Sequence, residues 1–365
     1  MTSSFQEDEN KSGLKRKDFK TTVQGKETDL YILKNPLGME VAVTNYGCAV
    51  LSIMVPDRQG NYANVVQSHD SIEHVINSPE PFLGTTIGRY GNRITKGKFT
   101  LKGTEYQLSL TKDTYTLHGG PAGFHTKVWD VLSVDESTIN FKYVSPDGEE
   151  GFPGNLTILM SYHLADNYNG LEISYSAKTD KETVLNLTNH GFFNLAGIGN
   201  PTSTILDHIV TINADFYLPI TENAIPTGEI LQVEGTPMDF RTPHTVGERI
   251  NNPFQQLING TGYDHCYVLN KKEVGELSIA ATCIEPVSGR CMTVETTEPG
   301  VQLYTGNWLN GFTGAHGATF PKRSAICFEA QHFPDSPNRA HFPSTVLRPG
   351  EEYTQLTIYG FATVD

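Results

Sequence analysis

The segment N-L-T-I-L-M-S-Y-H-L at residues 155–164 decides the fold class, because its apolar and polar residues alternate. Successive side chains of a strand point to opposite faces, so a period of two places the apolar residues on one face. Thr157, Ser161 and His163 fall on the opposite, polar face. The segment therefore predicts a half-buried strand whose buried face is formed by Leu156, Ile158, Met160, Tyr162 and Leu164.

The runs on either side of this segment show the same alternation. The odd-numbered positions are apolar in residues 139–143 and again in residues 171–177. Asn169 and Gly170 separate two of the runs, and this dipeptide favours a tight hairpin because both residues tolerate positive φ. An antiparallel meander is therefore expected over residues 139–177.

Turn residues punctuate the rest of the chain. Its 34 Gly and 20 Pro in 365 residues interrupt long helices and separate short strands. Short helical pieces are expected only near Ser71–Ile76 and Thr245–Leu257, and no linker or fixed-period repeat divides the chain. We therefore predict an all-β protein, with a flexible N-terminal tail over residues 1–17 and a single large antiparallel β-sandwich domain over residues 18–365.

The charge balance limits the partners of the chain. Asp and Glu number 41 against 27 Lys and Arg, which gives a formal net charge of −14 at pH 7. Such a chain repels nucleic-acid phosphates and anionic membranes, so a small or neutral ligand is expected. Five widely spaced cysteines without a C-x-x-C pair, and no apolar leader or membrane-spanning run, predict free thiols and a cytoplasmic location.

Five segments break the strand pattern with dense polar, aromatic and glycine residues, and functional residues on a β scaffold concentrate in such segments. None has the spacing of a phosphate-binding P-loop, a serine-hydrolase elbow or a zinc-binding H-E-x-x-H helix. The segments are G-R-Y-G-N-R-I at 88–94, L-H-G-G at 117–120, N-L-T-N-H-G-F-F-N-L at 186–195, G-Y-D-H at 262–265 and F-E-A-Q-H-F-P-D at 328–335.

The side chains in these segments match what a neutral sugar requires. A polyol needs polar groups for adjacent hydroxyls and an apolar wall for its C–H face, and reaction at the anomeric carbon needs one acid and one base. The segments, together with one tyrosine, supply such groups in Arg93, His118, His190, Phe192, Phe193, Asp264, Tyr304 and Glu329.

Taken singly, these residues have ordinary structural explanations. A histidine beside glycine, such as His118 or His190, commonly caps a turn, and Asp264 could serve as a turn residue. Arg93 could be an exposed ion-pair donor and Glu329 a solvent-facing strand residue. From the residues alone, an unspecified hydrolase or a sugar-binding module is equally well supported.

The motifs and their order resemble those of the aldose 1-epimerase family. N-L-T-N-H-G-F-F-N-L is similar to its N-x-T-x-H-x-Y-F-N-L signature, with Phe192 in place of the more usual Tyr. G-R-Y-G-N-R-I resembles its G-R-x-x-N-R-I, and L-H-G-G with Gly123, Phe124 and Trp129 resembles its next segment. G-Y-D-H, P-G-V-Q-L-Y-T-G-N at 299–307 and F-E-A-Q-H-F-P-D-S-P-N at 328–338 continue the match in order.

The resemblance implies a large antiparallel β-sandwich of the galactose-mutarotase type. It also implies interconversion of the α and β anomers of a free hexose, such as galactose or glucose, without a cofactor or a metal. By motif position, Glu329 would be the general base and His190 the general acid. Nearby carboxylates are expected to favour the charged form of His190, which predicts a bell-shaped pH profile. Substrate-binding roles are implied for Asn92, Arg93, His118, Asp264 and Gln302.

Two rival functions stay open at this point. A mutarotase acting on hexose 6-phosphate needs several cations, whereas the site segments offer Arg93 with Arg89 nearby. A non-catalytic carbohydrate-binding domain needs no matched acid and base. The lack of a heptad pattern or a long apolar stripe favours a monomer or a weak dimer.

Overall fold

The computed structural model describes residues 10–199 and 201–365. Strands dominate these ranges, which confirms the all-β prediction. The strands are β1 (Thr21–Val23), β2 (Lys26–Thr28), β3 (Leu30–Lys34), β4 (Glu40–Thr44), β5 (Val50–Pro56), β6 (Tyr62–Asn64), β7 (Thr86–Ile87), β8 (Arg93–Thr95), β9 (Lys98–Leu101), β10 (Thr104–Gln107), β11 (Tyr115–Leu117), β12 (Asp130–Val134), β13 (Thr138–Ser145), β14 (Leu156–Leu164), β15 (Asn169–Thr179), β16 (Thr183–Val184), β17 (Thr188–Asn189), β18 (Ile209–Ile212), β19 (Phe216–Tyr217), β20 (Leu231–Gln232), β21 (His244–Thr245), β22 (Asp264–Val268), β23 (Ser278–Ile284), β24 (Arg290–Thr296), β25 (Gly300–Tyr304), β26 (Phe312–Thr313), β27 (Thr319–Phe320), β28 (Cys327–Gln331), β29 (Val346–Leu347) and β30 (Tyr353–Thr363).

Helices are short and lie at the predicted positions. The α-helices of the described ranges are α1 (Ile72–Ile76), α2 (Val246–Arg249) and α3 (Gln255–Asn259). Single 3-10 turns are found at Arg16–Asp18, Phe124–Thr126, Glu149–Gly151, Ala315–Gly317 and Ser336–Asn338. None of the helices in these ranges has the length and apolar content needed to cross a membrane.

Three antiparallel sheets contain most of the strands. The largest has nine strands in the order β12-β13-β14-β15-β30-β24-β23-β18-β21. A five-stranded sheet has the order β20-β19-β22-β25-β28, and a four-stranded sheet has the order β3-β4-β5-β6. The predicted meander is β13, β14 and β15, in which Met160 lies opposite both Phe141 and Tyr175.

The core lies between the nine-stranded sheet and the two smaller sheets. One buried apolar cluster draws on all three, through residues such as Ile158, Ile53 and Leu303. Buried tyrosines bond across it to backbone carbonyls, because a buried hydroxyl without a partner is costly. Tyr162 OH, for example, donates to Cys48 O at 2.6 Å. The fold is therefore a β-sandwich with polar cross-links between its layers.

The hairpin between β14 and β15 forms, but Asn169 and Gly170 are not its turn. Both residues already belong to β15 and pair with β30. Residues 165–168 make the connection, and Asn35 Nδ2 donates to the first and last carbonyls of this loop at 3.0 and 3.2 Å. Gly170 is needed for a different reason than positive φ, since a Cβ there would lie 2.1 Å from the Tyr168 ring.

Part of the predicted N-terminal tail lies within the described residues, and that part packs against the sandwich. Leu14 is 4% exposed and clusters with Phe19. The Lys11 backbone N–H donates to Glu40 Oε1 at 2.7 Å. Residues 1–9 of the tail lie outside the described residues, and the division into a tail and a single domain stays a prediction.

Candidate active site

Three neighbouring strands of the five-stranded sheet bring the predicted site residues to one face. Gln302 of β25 lies directly opposite Glu329 of β28 and opposite Cys266 of β22. Asp264 is two residues before Cys266, so its side chain shares that face. Gln302 Nε2 donates to Asp264 Oδ1 at 2.8 Å. The sheet register therefore assembles three of the predicted residues.

Strand β28 is fixed from behind by the nine-stranded sheet. Tyr359 OH donates to Phe328 O at 2.9 Å, and Gln355 Nε2 donates to Ala330 O at 3.1 Å. These bonds flank Glu329 on both sides along the strand. Glu329 is 2% exposed, so it is not the solvent-facing residue that an ordinary strand position would give.

The loops containing Asn92 and His118 are joined by a pair of hydrogen bonds, here called the clasp. The His118 N–H donates to Asn92 O at 2.9 Å, and the Asn92 N–H donates to His118 Nδ1 at 3.0 Å. Both residues have positive φ, 63° and 51° respectively. Gly119 also has positive φ, and a Cβ there would lie 2.0 Å from Gly88 O, so only glycine lets the two motifs meet.

This clasp fixes the tautomer of His118. Because Nδ1 accepts a hydrogen bond from a backbone N–H, the remaining hydrogen of the neutral ring lies on Nε2. Burial, with smaller effects of the neighbouring His190 and of the positive charge on Arg93, lowers the pKa of His118 well below its ordinary value. His118 is therefore a neutral hydrogen-bond donor.

Asn186 joins the motif at 88–94 to the motif at 328–335. Its Oδ1 accepts from the His332 N–H at 2.9 Å, and its Nδ2 donates to His332 O at 3.2 Å. The Asn186 backbone N–H donates to Arg89 O at 2.9 Å. The first residue of the N-L-T-N-H motif is thus a structural bridge between two other motifs.

Arg93 is held at the edge of the same pocket. The Asp335 backbone N–H donates to Arg93 O at 2.9 Å, and Asp335 Oδ1 accepts from the Thr95 N–H at 2.9 Å. The guanidinium lies 5.1 Å from the centre of the Tyr115 ring, and its Nη1 lies 3.8 Å from Asp264 Oδ2. The Arg93 guanidinium therefore lies beside the carboxylate of Asp264.

His190 and Glu329 meet at the centre of the site. His190 Nε2 lies 3.5 Å from Glu329 Oε1, and both side chains are almost fully buried. Glu329 Oε2 and His190 Nδ1 are buried without a hydrogen-bond partner on another described residue. The structure thus brings the predicted acid and base together, and each has one buried polar atom that no other described residue contacts by a hydrogen bond.

Burial decides the protonation of this pair. It raises the pKa of Glu329 well above its ordinary value, with a further rise from Asp264 and an opposing effect of Arg93. It lowers the pKa of His190 to about 3, against an opposing effect of that residue's own backbone. The expectation that nearby carboxylates keep His190 charged is therefore wrong, because desolvation dominates its pKa. Burial thus favours the neutral form of both side chains.

The cluster of His118, His190 and Glu329 has the composition of a metal site, since donor atoms of the three lie within 4.8 Å of one another. The tautomer of His118 does not fit one. Its Nε2 carries a hydrogen, and a metal ligand must offer a lone pair. Two ligands are then left, fewer than the three of typical catalytic zinc sites.

Arg89 is not part of the pocket. It is 2% exposed, and its guanidinium donates to the backbone oxygens of Ser145, Pro146, Pro153 and Gly154. These bonds make it a structural residue. Arg89 is therefore not available, beside Arg93, as a second cation for the phosphate group of a hexose phosphate.

The aromatic side chains near the site differ in part from those expected for an apolar wall. Phe192 and Tyr304 lie beside His190, with centroids 4.7 and 6.3 Å from the imidazole centroid. Phe193 instead packs into the core, 4.9 Å from Tyr359. Phe82, which no motif contains, lies 4.7 Å from the His118 ring and 5.9 Å from the His190 ring.

The segment containing Phe82 also contributes a carboxyl group that sequence reasoning missed. Burial raises the pKa of Glu80 to about 7, and its negative charge raises the pKa of Glu329. The only local signal is the P-E-P-F stretch at 79–82, which indicates a turn and nothing about function. Cavity volume does not locate the candidate site either, because a groove of about 1150 Å³ lies elsewhere, on the outer face of the nine-stranded sheet.

Comparisons with known proteins show the family of this chain. The sequence profile of the aldose 1-epimerase family matches residues 29–360. The chain is 43% identical over 325 residues to a galactose mutarotase of Mus musculus, covering 89% of this chain and 91% of that protein. It is 35% identical over 340 residues to an aldose 1-epimerase of Escherichia coli K12, covering 92% and 96% of the two chains.

Solved structures show the same fold. A galactose 1-epimerase of Lactobacillus acidophilus superposes with a TM-score of 0.82 at 30% identity, covering 94% of this chain and 97% of that one. An aldose epimerase homologue of C. elegans superposes with a TM-score of 0.85 at 26% identity, covering 93% and 100%.

Proposed function

The chain belongs to the aldose 1-epimerase family, and on that premise we propose that Glu329 and His190 are its general base and general acid. The family reaction is an isomerisation: the α and β anomers of a free aldose interconvert. The observation that carries the proposal is the 3.5 Å approach of His190 Nε2 to Glu329 Oε1, with both side chains almost fully buried. A pure binding site has no need for such a pair.

The reaction divides between the two groups. Glu329 as carboxylate removes the proton from the C1 hydroxyl, and the electron pair of that O–H bond forms the C1=O1 double bond. The C1–O5 bond breaks, and O5 takes a proton from the imidazolium of His190. Rotation about C1–C2 then exposes the other face of the aldehyde. Ring closure with the two roles exchanged gives the other anomer.

The first step needs Glu329 as the carboxylate and His190 as the imidazolium, whereas burial favours the neutral form of each side chain. Sugar hydroxyls that donate to the carboxylate favour its charged form, as does Arg93. Binding of the substrate would therefore transfer the proton of Glu329 to His190 across the 3.5 Å gap and prepare the reactive state.

Five further residues would hold and polarise the sugar. His118 Nε2–H and the Arg93 guanidinium donate to oxygens that gain charge as the ring opens. Asp264 accepts from adjacent hydroxyls, and Gln302, whose Oε1 is buried without a partner on a described residue, accepts from another. Asn92 contributes through its backbone clasp on His118 and its side-chain amide.

Asp264→Asn should raise KM roughly tenfold or more, because hydrogen bonds to a charged group are worth about 1.5–3 kcal/mol. The variant should change the preference between galactose and glucose more than it changes kcat. The measurement is KM and kcat for both sugars by polarimetry. Asp239→Asn, which breaks an ion pair of 2.8 Å with Arg241 outside the site, is the matched control. An unchanged KM for both sugars would remove Asp264 from the binding site.

The free enzyme should keep a nearly constant kcat/KM across neutral pH. On the acid side a second proton enters the pair only as pH falls toward the His190 pKa of about 3. On the alkaline side activity falls as Glu329, whose pKa is raised by burial, loses its proton. Rates corrected for uncatalysed mutarotation between about pH 4 and about pH 9 test this. A midpoint near the ordinary imidazole value of about 6.5 would contradict it.

Glu80 supplies a control for that profile. Its pKa of about 7 predicts a small inflection there, because its negative charge appears as pH rises and raises the pKa of Glu329. Glu80→Gln should remove the inflection, leave the acid limb in place and move the alkaline limb to lower pH, because the charge that raises the pKa of Glu329 is lost.

Galactose and glucose are the substrates we propose, supported by the similarity to a galactose mutarotase and by the Asp264 carboxylate beside Arg93, which suits sugar hydroxyls better than a phosphate. Polarimetry of freshly dissolved α-galactose tests the activity, since the protein should accelerate the approach to equilibrium. Rates on glucose 6-phosphate should be much lower than on glucose, because Arg89 is occupied by backbone carbonyls.

We also propose a cytoplasmic monomer or weak dimer. All five cysteines lie within the described ranges and are free, four of them buried, which suits a reducing compartment. Size-exclusion chromatography with light scattering distinguishes a monomer from a stable dimer.

A further inference from the structure

Two phenyl rings lie nearly parallel to the imidazole of His190. The Phe192 centroid is 4.7 Å from the imidazole centroid with 13° between the planes, and the Phe82 centroid is 5.9 Å away with 14° between the planes. Phe192 follows His190 by two residues, but Phe82 comes from a distant loop. The two rings reach the same imidazole by independent routes.

Hydrogen bonds do not account for the orientation of His190. An imidazole that transfers protons is usually held through its second nitrogen by a carboxylate or a carbonyl. Here Nδ1 is buried without a partner on another described residue. The orientation of Nε2 toward Glu329 therefore depends on what packs against the ring faces.

Phe82 reaches beyond His190. Its ring lies edge to face with His118 and with His125, in each case 4.7 Å from the imidazole centroid. His118 in turn lies edge to face with His190 at 5.2 Å. A single phenyl ring thus packs against three buried imidazoles, those of His118, His125 and His190.

The faces of the two phenyl rings also affect the charged form of His190. The face of a phenyl ring attracts a cation within about 6 Å of its centroid, and both rings lie inside that range. The attraction grows when water is excluded, as it is around His190. The rings therefore favour the imidazolium, the form that must appear during turnover and that burial otherwise opposes.

We propose that Phe82 and Phe192 are positioning residues of the reaction, whose ring faces orient His190 toward Glu329 and stabilise its charged form while it carries the proton. This inference rests on the proposed function, because it needs His190 to be the acid. The rings touch no reacting atom. Their effect passes through His190 and belongs to kcat rather than to sugar binding.

Leucine substitutions test the proposal, because leucine keeps apolar burial and removes the aromatic face. Phe82→Leu should lower kcat about tenfold, with KM within about twofold of the unsubstituted protein. Phe82→Tyr should restore kcat, since it restores the ring. Phe342→Leu, which removes a ring 4.7 Å from His341 in a separate apolar cluster, should leave kcat unchanged. Phe192→Leu should match Phe82→Leu, provided that circular dichroism shows the native fold.

A double-mutant cycle with His190→Gln separates positioning from general packing. If Phe82 acts through His190, adding Phe82→Leu to His190→Gln should lower kcat no further. An equal tenfold loss in both backgrounds, or full kcat of Phe82→Leu, would overturn the inference. These outcomes differ from failure of the proposed function, which would show as no acceleration by the unsubstituted protein or as full kcat of His190→Gln.

Discussion

Glu329→Gln should lower kcat for the mutarotation of α-galactose by about 10²–10⁴-fold, the usual contribution of a positioned general base. The amide is nearly the same size as the carboxyl group but cannot accept the C1 proton. KM should change much less, because Arg93, His118 and Asp264 still contact the sugar. Polarimetric initial rates at saturating sugar, corrected for the uncatalysed reaction, give kcat directly.

Glu298→Gln is the matched control for that variant. Glu298 is also a buried carboxyl group beside an imidazole, with its Oε2 2.6 Å from His332 Nδ1, but it lies outside the candidate site. The control should keep kcat even if it loses some stability. Equal losses in the two variants would mean that kcat reports damage to the fold rather than removal of the base.

His190→Gln should lower kcat by a similar factor of about 10²–10⁴. Glutamine can donate a hydrogen bond toward O5 but cannot release a proton to it. Combining it with Glu329→Gln should cost far less than the product of the two single losses, because the pair acts as one proton-transfer unit. The measurement is kcat for the two single variants and the double variant.

His208→Gln controls for the loss of a buried imidazole. The His208 ring accepts a hydrogen bond from the Leu195 N–H at 3.0 Å, and a glutamine oxygen can replace that acceptor. Burial lowers its pKa to about 4, as burial does at His190. Activity should survive this change. Strictly multiplicative losses in the double variant of the pair would argue against a single proton-transfer unit.

The strand content was predictable because one face of each long strand is buried. Residues 155–164 alternate in sequence and in burial, so periodicity alone locates β14. The turn was less predictable. Asn169 and Gly170 match a tight hairpin locally, but Asn35, far away in sequence, stabilises a longer loop. The tertiary hydrogen bonds of Asn35 therefore override the local turn propensity of Asn169 and Gly170.

The sequence motifs predicted which side chains lie close together, but they did not predict the charge state of His190. Short motifs identify residues that several strands later bring together, such as Gln302 and Glu329. The protonation of His190 depends on how much water the fold excludes, which no motif encodes. The sequence did not identify Phe82, because only the folded position of its ring beside His190 indicates a role. The local sequence of its loop indicates only a turn.

A crystal structure of Glu329→Gln with bound galactose tests the central proposal most directly. The result we predict places the C1 hydroxyl within hydrogen-bonding distance of residue 329 and O5 within hydrogen-bonding distance of His190 Nε2, on one hexose. A hexose bound in the groove on the outer face of the nine-stranded sheet, or with its anomeric carbon out of reach of both residues, would contradict it.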